Sequence, residues 1–434
     1  MSSVPPVSFL RSYLQGSASL SIARFSLTAI VVSLLVSEIP LCWTQTMRGL
    51  VLLGGLAISS MTRNEEGGVF LLLVLLGNYL LIGATNLISV YIALELQTLS
   101  LFVLVAYNKR SLLSAEAGLK YFVLGALSSG LFLFGCALVY GSTGELELHL
   151  IRVAGAERSL GLLFIVVSLL FKISAAPFHM WAPDVYGGAP TWVVALLSIV
   201  PKLGVLAVLV QIGLDPRVFL VAGLMSMAVG AIGALNQTKT KRLLAYSGIS
   251  HMGFVLLGVA IGSTHSLQAT LMYVGAYVIT QILLWAAILV ISPKGDALVE
   301  FGGVSRLNPV LASALAVGLL SAAGIPPLVG FLTKWYVVLA AVGRGYYISA
   351  IIALVCSVVA GVYYLRLVQV MFVGPSTMPL VETNILRTQG TAREPLSILM
   401  GVSLYLVLTI IVCPSLFFQL THLSIFDLFF VCPC

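Results

Sequence analysis

The stretch WVVALLSIVPKLGVLAVLV, residues 192–210, is strongly apolar and contains a single charged residue, Lys202, which directly follows Pro201. Its length is close to the ~20 residues that an α-helix needs to cross a bilayer. A charged side chain at that depth is costly in free energy and generally marks a path for ions or protons. The stretch therefore predicts a membrane-spanning helix that carries a functional lysine.

The same apolar character extends along the whole chain. Of its 434 residues, 60% are hydrophobic and only 9% are charged, whereas a soluble domain has about 25% charged residues. The apolar runs do not alternate with polar residues as the strands of a β-barrel do. The net charge of +7 is spread over short loops without a basic cluster, so no nucleic-acid partner is expected. These features predict an all-α polytopic membrane protein surrounded by membrane lipids.

The apolar runs predict about thirteen transmembrane helices. They lie near residues 25–43, 48–61, 68–84, 87–107, 118–140, 159–178, 189–211, 217–236, 242–262, 266–292, 308–343, 346–373 and 395–418. We divide the chain into an N-terminal segment with two helices, two helix bundles, and a loop with the last helix and a C-terminal tail. Their respective bounds are residues 1–67, 68–211, 217–373 and 374–434.

One predicted crossing is too long to be a straight helix. The run 308–343 contains the sequence Gly324-Ile325-Pro326-Pro327, and prolines remove amide donors and break helices. We interpret the run as one crossing made of two half-helices. Two separate crossings are the alternative.

The basic residues of the loops predict the orientation. When thirteen crossings alternate, twelve Lys and Arg residues fall on the side of the N-terminus and five on the other. The basic side normally faces the cytoplasm or the matrix. The N-terminus is therefore expected on that side and the C-terminus on the opposite one. Residues 1–24 contain two arginines and no acid, which is typical of either a mitochondrial targeting segment or an amphipathic lead-in to the first helix.

Glu95 lies in the apolar run 90–106, far from any other charge along the sequence. A carboxylate in hydrocarbon must be either paired or protonated. We interpret Glu95 as a proton site, and a structural ion pair between helices is the alternative.

Lysines accompany this acid in or beside apolar runs. They are Lys120, Lys172, Lys202 and Lys334. A lysine that is removed from water can exchange its proton near neutral pH, whereas an arginine stays protonated. Lysines at these positions therefore favour proton handling. The alternative for each is that the side chain extends to the membrane surface, most of all for Lys120, which lies near the start of its span.

Other polar residues near the spans are secondary candidates. His179 and Asp184 lie in a proline-rich stretch between two spans and are either proton relays or capping residues. His251 lies inside a span, either in a water chain or in an interhelical hydrogen bond. We expect no metal or cofactor in this chain, because it has no Cys cluster for iron–sulfur, no histidine pair at haem spacing and no Gly-rich nucleotide loop.

Several longer motifs resemble one family. They are ALELQ (93–97), EAGLKY (116–121), GALSSG (125–130), FKI (171–173), PFHMWAPD (177–184), KRLLAYS (241–247) and GIPP (324–327). In their order they are similar to the chain 2 and subunit N family, the antiporter-like membrane subunits of respiratory complex I. The likeness runs from about residue 68 to 373.

This resemblance implies two inverted five-helix bundles with two broken helices. It also implies a proton path in which Glu95 tunes Lys172, Lys202 relays the proton, and Lys334 passes it toward the outlet. The implied partners are the other membrane-arm subunits of complex I, including neighbouring antiporter-like subunits, in the mitochondrial inner membrane. NADH, FMN, iron–sulfur clusters and ubiquinone would act in other subunits.

The resemblance leaves other functions open. Large subunits of cation/proton antiporters share the implied fold and its lysines, and a plastid or cyanobacterial relative would serve plastoquinone. A degenerate structural subunit is disfavoured because Glu95 and the lysines are all present.

Overall fold

The computed structural model describes residues 43–62, 65–108, 110–153, 159–213, 215–291, 296–374 and 394–430. Within these ranges the chain is helical, and its β-structure is limited to two isolated bridges, Asn86 with Glu147 and Lys239 with Ala297. The helices of the N-terminal half are α1 Trp43–Met61, α2 Glu65–Ile82, α3 Leu87–Val105, α4 Leu112–Thr143, α5 Leu148–Val153, α6 Leu160–Lys172, α7 Trp181–Gly188 and α8 Thr191–Ile212.

The helices of the C-terminal half follow without a strand between them in the described ranges. They are α9 Pro216–Leu235, α10 Thr240–Ile261, α11 Thr264–Ile291, α12 Val304–Leu307, α13 Pro309–Ala323, α14 Val329–Gly343, α15 Tyr347–Val373, α16 Glu394–Val412 and α17 Pro414–Phe430, with a short 3-10 helix at Leu298–Phe301.

Eight of these helices are long and apolar enough to cross a membrane: α3, α4, α8, α9, α10, α11, α15 and the residues 395–412 of α16. Four shorter apolar helices accompany them, namely α2, α6, α13 and α14. The prediction of an all-helical polytopic membrane protein is confirmed. The first predicted span, 25–43, lies almost entirely outside the described residues, and the count of thirteen stays a prediction.

Two predicted spans end earlier than expected. The span 159–178 is wrong at its end, because α6 stops at Lys172 and a new helix, α7, begins at Trp181. The span 395–418 crosses a helix boundary, since α16 ends at Val412 and α17 starts at Pro414. Proline has no amide hydrogen to donate and disfavours helical backbone in the residue before it. The region after the last predicted helix contains more than a tail, since α17 continues to Phe430.

Helix α8 forms the centre of the molecule. All of its residues in the apolar window are buried, compared with 33% for α4 and 17% for α16, which lie at the periphery. Near it, α9 packs closely against α10, because glycines of one helix face the backbone of the other. A Cβ atom on Gly230 would lie 2.6 Å from the amide nitrogen of Ser250. Small residues that let backbones approach are a general feature of helix packing in membranes.

Two breaks interrupt the helices next to this core. The first lies between α6 and α7, and the second, at Gly324, lies between α13 and α14. In the first break the amide of Ala176 donates to the hydroxyl of Ser226 over 2.8 Å. In the second the amide of Gly330 donates to Ser321 Oγ over 3.3 Å. Irregular backbone at membrane depth persists only where protein or water satisfies it. Both breaks therefore sit inside the bundle, and each places a lysine nearby.

Candidate functional site

Lys202 lies on the buried central helix and is 2% exposed. Its ammonium group lies 3.4 Å from the hydroxyl of Tyr277 on α11, to which it donates a hydrogen bond. The Tyr277 hydroxyl in turn donates to the carbonyl oxygen of Ser198 over 3.1 Å. Space for the ammonium comes from Gly248 on α10, where a Cβ atom would lie 3.1 Å from Lys202 Nζ. Lys202 is thus held by a tyrosine inside an apolar core.

His251 lies next to this pair, on α10. Its Nδ1 atom is 2.7 Å from the hydroxyl of Tyr273, and its Nε2 atom is 3.2 Å from the hydroxyl of Tyr364. The ring centroids of His251 and Tyr277 are 5.4 Å apart. The structure therefore places His251 in interhelical hydrogen bonds that join α10 to α11 and α15. An imidazole between two hydroxyls can accept a proton on one nitrogen and release one from the other.

Lys334 occupies the second helix break. Its ammonium donates hydrogen bonds to the carbonyl oxygens of Ala322, over 3.0 Å, and Ala323, over 2.8 Å. These carbonyls end α13, where the last peptide groups have no partner within the helix and the helix dipole favours a cation. The ammonium also lies 5.5 Å from the ring centroid of Phe254. Because the side chain is buried, its charge needs compensation, and the carbonyl oxygens at the end of the broken helix provide it.

A small cavity connects the histidine with this lysine. Its lining includes His251, Tyr273, Tyr277, Thr333 and Lys334. The space is on the order of one water molecule, and its lining offers the polar partners that a buried water needs. Polar atoms therefore extend from Lys202 through Tyr277 and His251 to Lys334.

Lys172 and Glu95 form a second polar region. Lys172 is the last residue of α6 and is 6% exposed, and its ammonium has no hydrogen-bond partner within the described residues. Ser168, one turn earlier, also has a buried hydroxyl without a partner among them. Glu95 is partly buried on α3 and interacts electrostatically with Lys172. The structure brings the two predicted residues into electrostatic range without a direct hydrogen bond.

Lys120 and Asp184 lie outside these buried regions. Lys120 forms ion pairs with Glu116, at 2.8 Å, and with Asp184, at 3.0 Å, while Asp184 also pairs with Arg242 at 2.8 Å. All of these side chains are about 40% exposed or more. This cluster joins α4, α7 and α10 at the protein surface. His179 lies half-buried in the first break, next to the backbone of Pro177.

The tyrosines of the site were not predicted from the sequence. Tyr277 is bonded to Lys202, and Tyr273 and Tyr364 are bonded to His251, and all three are buried. A hydroxyl inside an apolar run is the signal that would have found them, because a buried tyrosine normally needs a hydrogen-bond partner. No group of three or more His, Cys, Asp or Glu side chains that would hold a metal occurs in the described ranges.

Comparisons with known proteins agree with this geometry. Residues 84–361 match the family model described as "NADH:quinone oxidoreductase/Mrp antiporter, TM". The NADH-ubiquinone oxidoreductase chain 2 of Metridium senile is 50% identical over 380 residues, which cover 85% of this chain and 99% of that protein. The NADH-quinone oxidoreductase subunit N of Rhodospirillum rubrum is 41% identical over 77% of this chain and 74% of its own length.

Solved structures share the fold. A chain of respiratory complex I from Thermus thermophilus aligns with a TM-score of 0.80 and 31% identity over 96% of both chains. A chain of the Mrp complex from Dietzia aligns with a TM-score of 0.80 at 18% identity, which shows the common fold alone. With identity, coverage and fold in agreement, the chain belongs to the antiporter-like family of NADH:ubiquinone oxidoreductase chain 2 and its bacterial counterpart, subunit N.

Proposed function

We propose that the chain is the proton-translocating, antiporter-like subunit in the membrane arm of respiratory complex I, a translocase that couples NADH oxidation and ubiquinone reduction to proton pumping. The observation that supports this function best is the set of buried lysines in the apolar core, Lys172, Lys202 and Lys334. Lys202 is bonded to Tyr277, which lines one cavity together with His251 and Lys334. Burying a charge is costly unless the group is compensated or changes its protonation. Three such groups near one another favour proton transfer.

The roles of the residues follow their surroundings. Glu95 tunes the charge on Lys172, which it reaches electrostatically. Lys202 relays the proton toward Lys334, with His251 in the polar cavity between Tyr277 and Lys334. Lys334 passes it toward the outlet from its position at the end of α13.

The surface cluster has a different role in this proposal. Lys120 and Asp184 hold α4, α7 and α10 together at the end of the bundle where α10 begins. His179 lies at the first break next to this cluster, where it can accept a proton from the surface. These residues thus frame the entrance and stand outside the buried row of lysines.

The assembly and location are also part of the proposal. The chain would cross the mitochondrial inner membrane about thirteen times, in two inverted five-helix bundles at 68–211 and 217–373. Its N-terminus would face the matrix and its C-terminus the intermembrane space. Its partners would be other membrane-arm subunits, including neighbouring antiporter-like ones, while NADH, FMN, iron–sulfur clusters and ubiquinone act elsewhere in the complex. The chain 2 relatives support the assembly and the location. The apolar runs support the number of crossings, and the basic loop residues support the orientation.

Native electrophoresis tests the assembly. Membranes are solubilised gently, separated on a native gel and stained for NADH dehydrogenase activity, and the chain is located by mass spectrometry. We expect it in a large NADH-oxidising band. Migration in a smaller assembly without that activity would support a cation/proton antiporter, a second candidate favoured by the shared fold with the Mrp chain.

The substitution Lys172→Met tests the proton path itself. It removes an ammonium that is buried and makes no hydrogen bond to the residues that the structure describes. We expect the complex to assemble and to oxidise NADH with artificial acceptors, while NADH-driven proton pumping in closed vesicles is lost or sharply reduced. Normal pumping by the assembled variant would defeat the role of Lys172.

A further inference from the structure

A gap separates the two polar regions of the site. Lys202 is bonded to Tyr277, and the polar atoms then lead to Lys334. Lys172 has no hydrogen-bond partner within the described residues, so no direct bond links the Glu95 region to Lys202 there. A proton that moves from Lys172 to Lys202 needs another polar group between them, because apolar side chains do not carry it.

Tyr186 lies at this gap, on the short helix α7 that follows the first break. The side chain is 1% exposed, and its hydroxyl is buried without a hydrogen-bond partner in the described part of the chain. On one side it interacts electrostatically with Tyr121, which does the same with Glu95. On the other side it interacts electrostatically with Tyr277, the partner of Lys202. The geometry agrees, because α7 is paired through Asp184 with α4, which carries Tyr121, and with α10, whose Gly248 lies against the Lys202 ammonium.

The position of α7 is well defined by its neighbours. Trp181, at its start, donates a hydrogen bond from Nε1 to the carbonyl oxygen of Phe171 over 2.9 Å. The Trp181 ring also stacks on Tyr121, with centroids 4.9 Å apart. At its end, Gly188 lies against α4, where a Cβ atom would meet the methyl group of Ala117 at 2.7 Å. Together with the ion pairs of Asp184 to Lys120 on α4 and to Arg242 on α10, these contacts fix α7, and with it Tyr186, between α4 and α10.

A hydroxyl without a partner does not stabilise the fold. Leaving a buried polar group unsatisfied costs about 1–3 kcal/mol, and an apolar group of the same shape avoids this penalty. Phenylalanine would fill the same volume at this position. A tyrosine here is therefore better explained by what its hydroxyl does than by packing.

We propose that the Tyr186 hydroxyl relays protons between the Glu95–Lys172 region and the Lys202–Tyr277 pair. The hydroxyl oxygen accepts a proton arriving from the Lys172 side, directly or through one water, as its own hydrogen passes toward Tyr277. Tyr186 ends neutral, with one O–H bond formed and one broken, and it needs no oxidant or other reactant. Rotation of the hydroxyl resets it. This inference rests on the proposed function and adds a specific residue to it.

The substitution Tyr186→Phe tests the relay, because it removes only the hydroxyl. Closed membrane vesicles with the assembled complex are supplied with NADH, and the protons pumped per NADH oxidised are measured. We expect a severalfold fall in this ratio, unchanged NADH oxidation with an artificial acceptor, and a dissociation temperature of the complex that is equal or higher. Parental pumping by this variant would overturn the inference.

Tyr246→Phe is the matched control. Tyr246 lies on α10 outside both polar regions, and its ring packs against α9, where a Cβ atom on Gly233 would lie 2.6 Å from the ring's Cε1 atom. We expect this variant to pump close to the parental ratio. An equal loss in both variants would overturn the inference, since it would show a general sensitivity to hydroxyl removal.

Lys202→Met separates this inference from the proposed function. If this variant pumps normally in the same vesicles, the lysine path fails and the relay fails with it. If Lys202→Met abolishes pumping while Tyr186→Phe leaves it unchanged, only the relay is overturned.

Discussion

The ammonium group of Lys334 lies 2.8 Å from the carbonyl oxygen of Ala323, the last residue of α13. A second bond, 3.0 Å long, reaches the carbonyl of Ala322. Carbonyls at a helix end lack partners within the helix and carry the negative end of its dipole. The break in the run 309–343 thus creates the site that receives the lysine. The proline pair that predicted the break from the sequence therefore also explains why a buried cation is tolerated there, because the break leaves carbonyl oxygens that accept hydrogen bonds from the ammonium.

Gly324→Ala tests this arrangement. Gly324 has a φ of 84°, and a Cβ atom there would lie 2.9 Å from Cδ of Lys334. A side chain in left-handed backbone costs about 1–2 kcal/mol, and the methyl group would push the lysine off the helix end. We expect a lower dissociation temperature and a severalfold loss of proton pumping.

Gly345→Ala serves as the control for this substitution. Gly345 has a nearly identical φ of 82°, but nothing lies within 4 Å of the position of its Cβ atom. The backbone penalty is therefore matched without contact to a lysine. We expect similar destabilisation with parental pumping per NADH. Equal pumping losses in both variants would show that helix geometry alone, and not the position of Lys334, limits the rate.

Replacing Lys334 by arginine or methionine separates charge from proton transfer. Arginine keeps the positive charge and its bonds to the helix end but does not release its proton, whereas methionine removes both. We therefore expect pumping to be lost to a similar extent in the two variants. Assembly, judged by the NADH-stained band on a native gel, should be better preserved by arginine. Parental pumping by Lys334→Arg would show that this residue acts through its positive charge and not by releasing a proton.

The sequence predicted one half of the site better than the other. Glu95, Lys172, Lys202 and Lys334 were visible because a charge inside an apolar run needs an explanation. Tyr277 was not, because a tyrosine in such a run is also normal core, and its bond to Lys202 joins residues 75 apart in sequence. Only the packing of α8 against α11 brings the two together.

Helix boundaries show the same limit. Apolar composition continued through residue 178, so hydropathy extended the span past Lys172, where the structure ends α6. The end of α6 is set by the backbone conformation at Ser174, which has a φ of 58°. It is also set by the hydrogen bond from the Ala176 amide to the hydroxyl of Ser226, which lies 50 residues away in the sequence. Neither feature is encoded by local hydrophobicity. The side of the membrane on which each loop lies stays a prediction.

Asp184→Asn tests whether the surface cluster is structural. Asp184 pairs with Lys120 and Arg242, and these side chains are about 40% exposed. Exposed ion pairs contribute about 0.2–1 kcal/mol each and are screened by salt. We expect parental proton pumping and a small, salt-dependent drop in dissociation temperature. Glu116→Gln, which removes a single ion pair of Lys120, is the milder comparison. A severalfold loss of pumping in Asp184→Asn would instead support a proton relay through this carboxylate.

His251→Gln tests the link between the two buried lysines. Glutamine retains a donor and an acceptor near Tyr273 and Tyr364, which lie 2.7 Å and 3.2 Å from the imidazole, but it has no ring nitrogen to accept a proton. If His251 carries the proton across the cavity, pumping per NADH falls severalfold while the interhelical bonds keep the complex assembled. His422→Gln is the control, since His422 is exposed on α17 beside Phe418. Parental pumping by His251→Gln would show that His251 only forms interhelical hydrogen bonds and carries no proton.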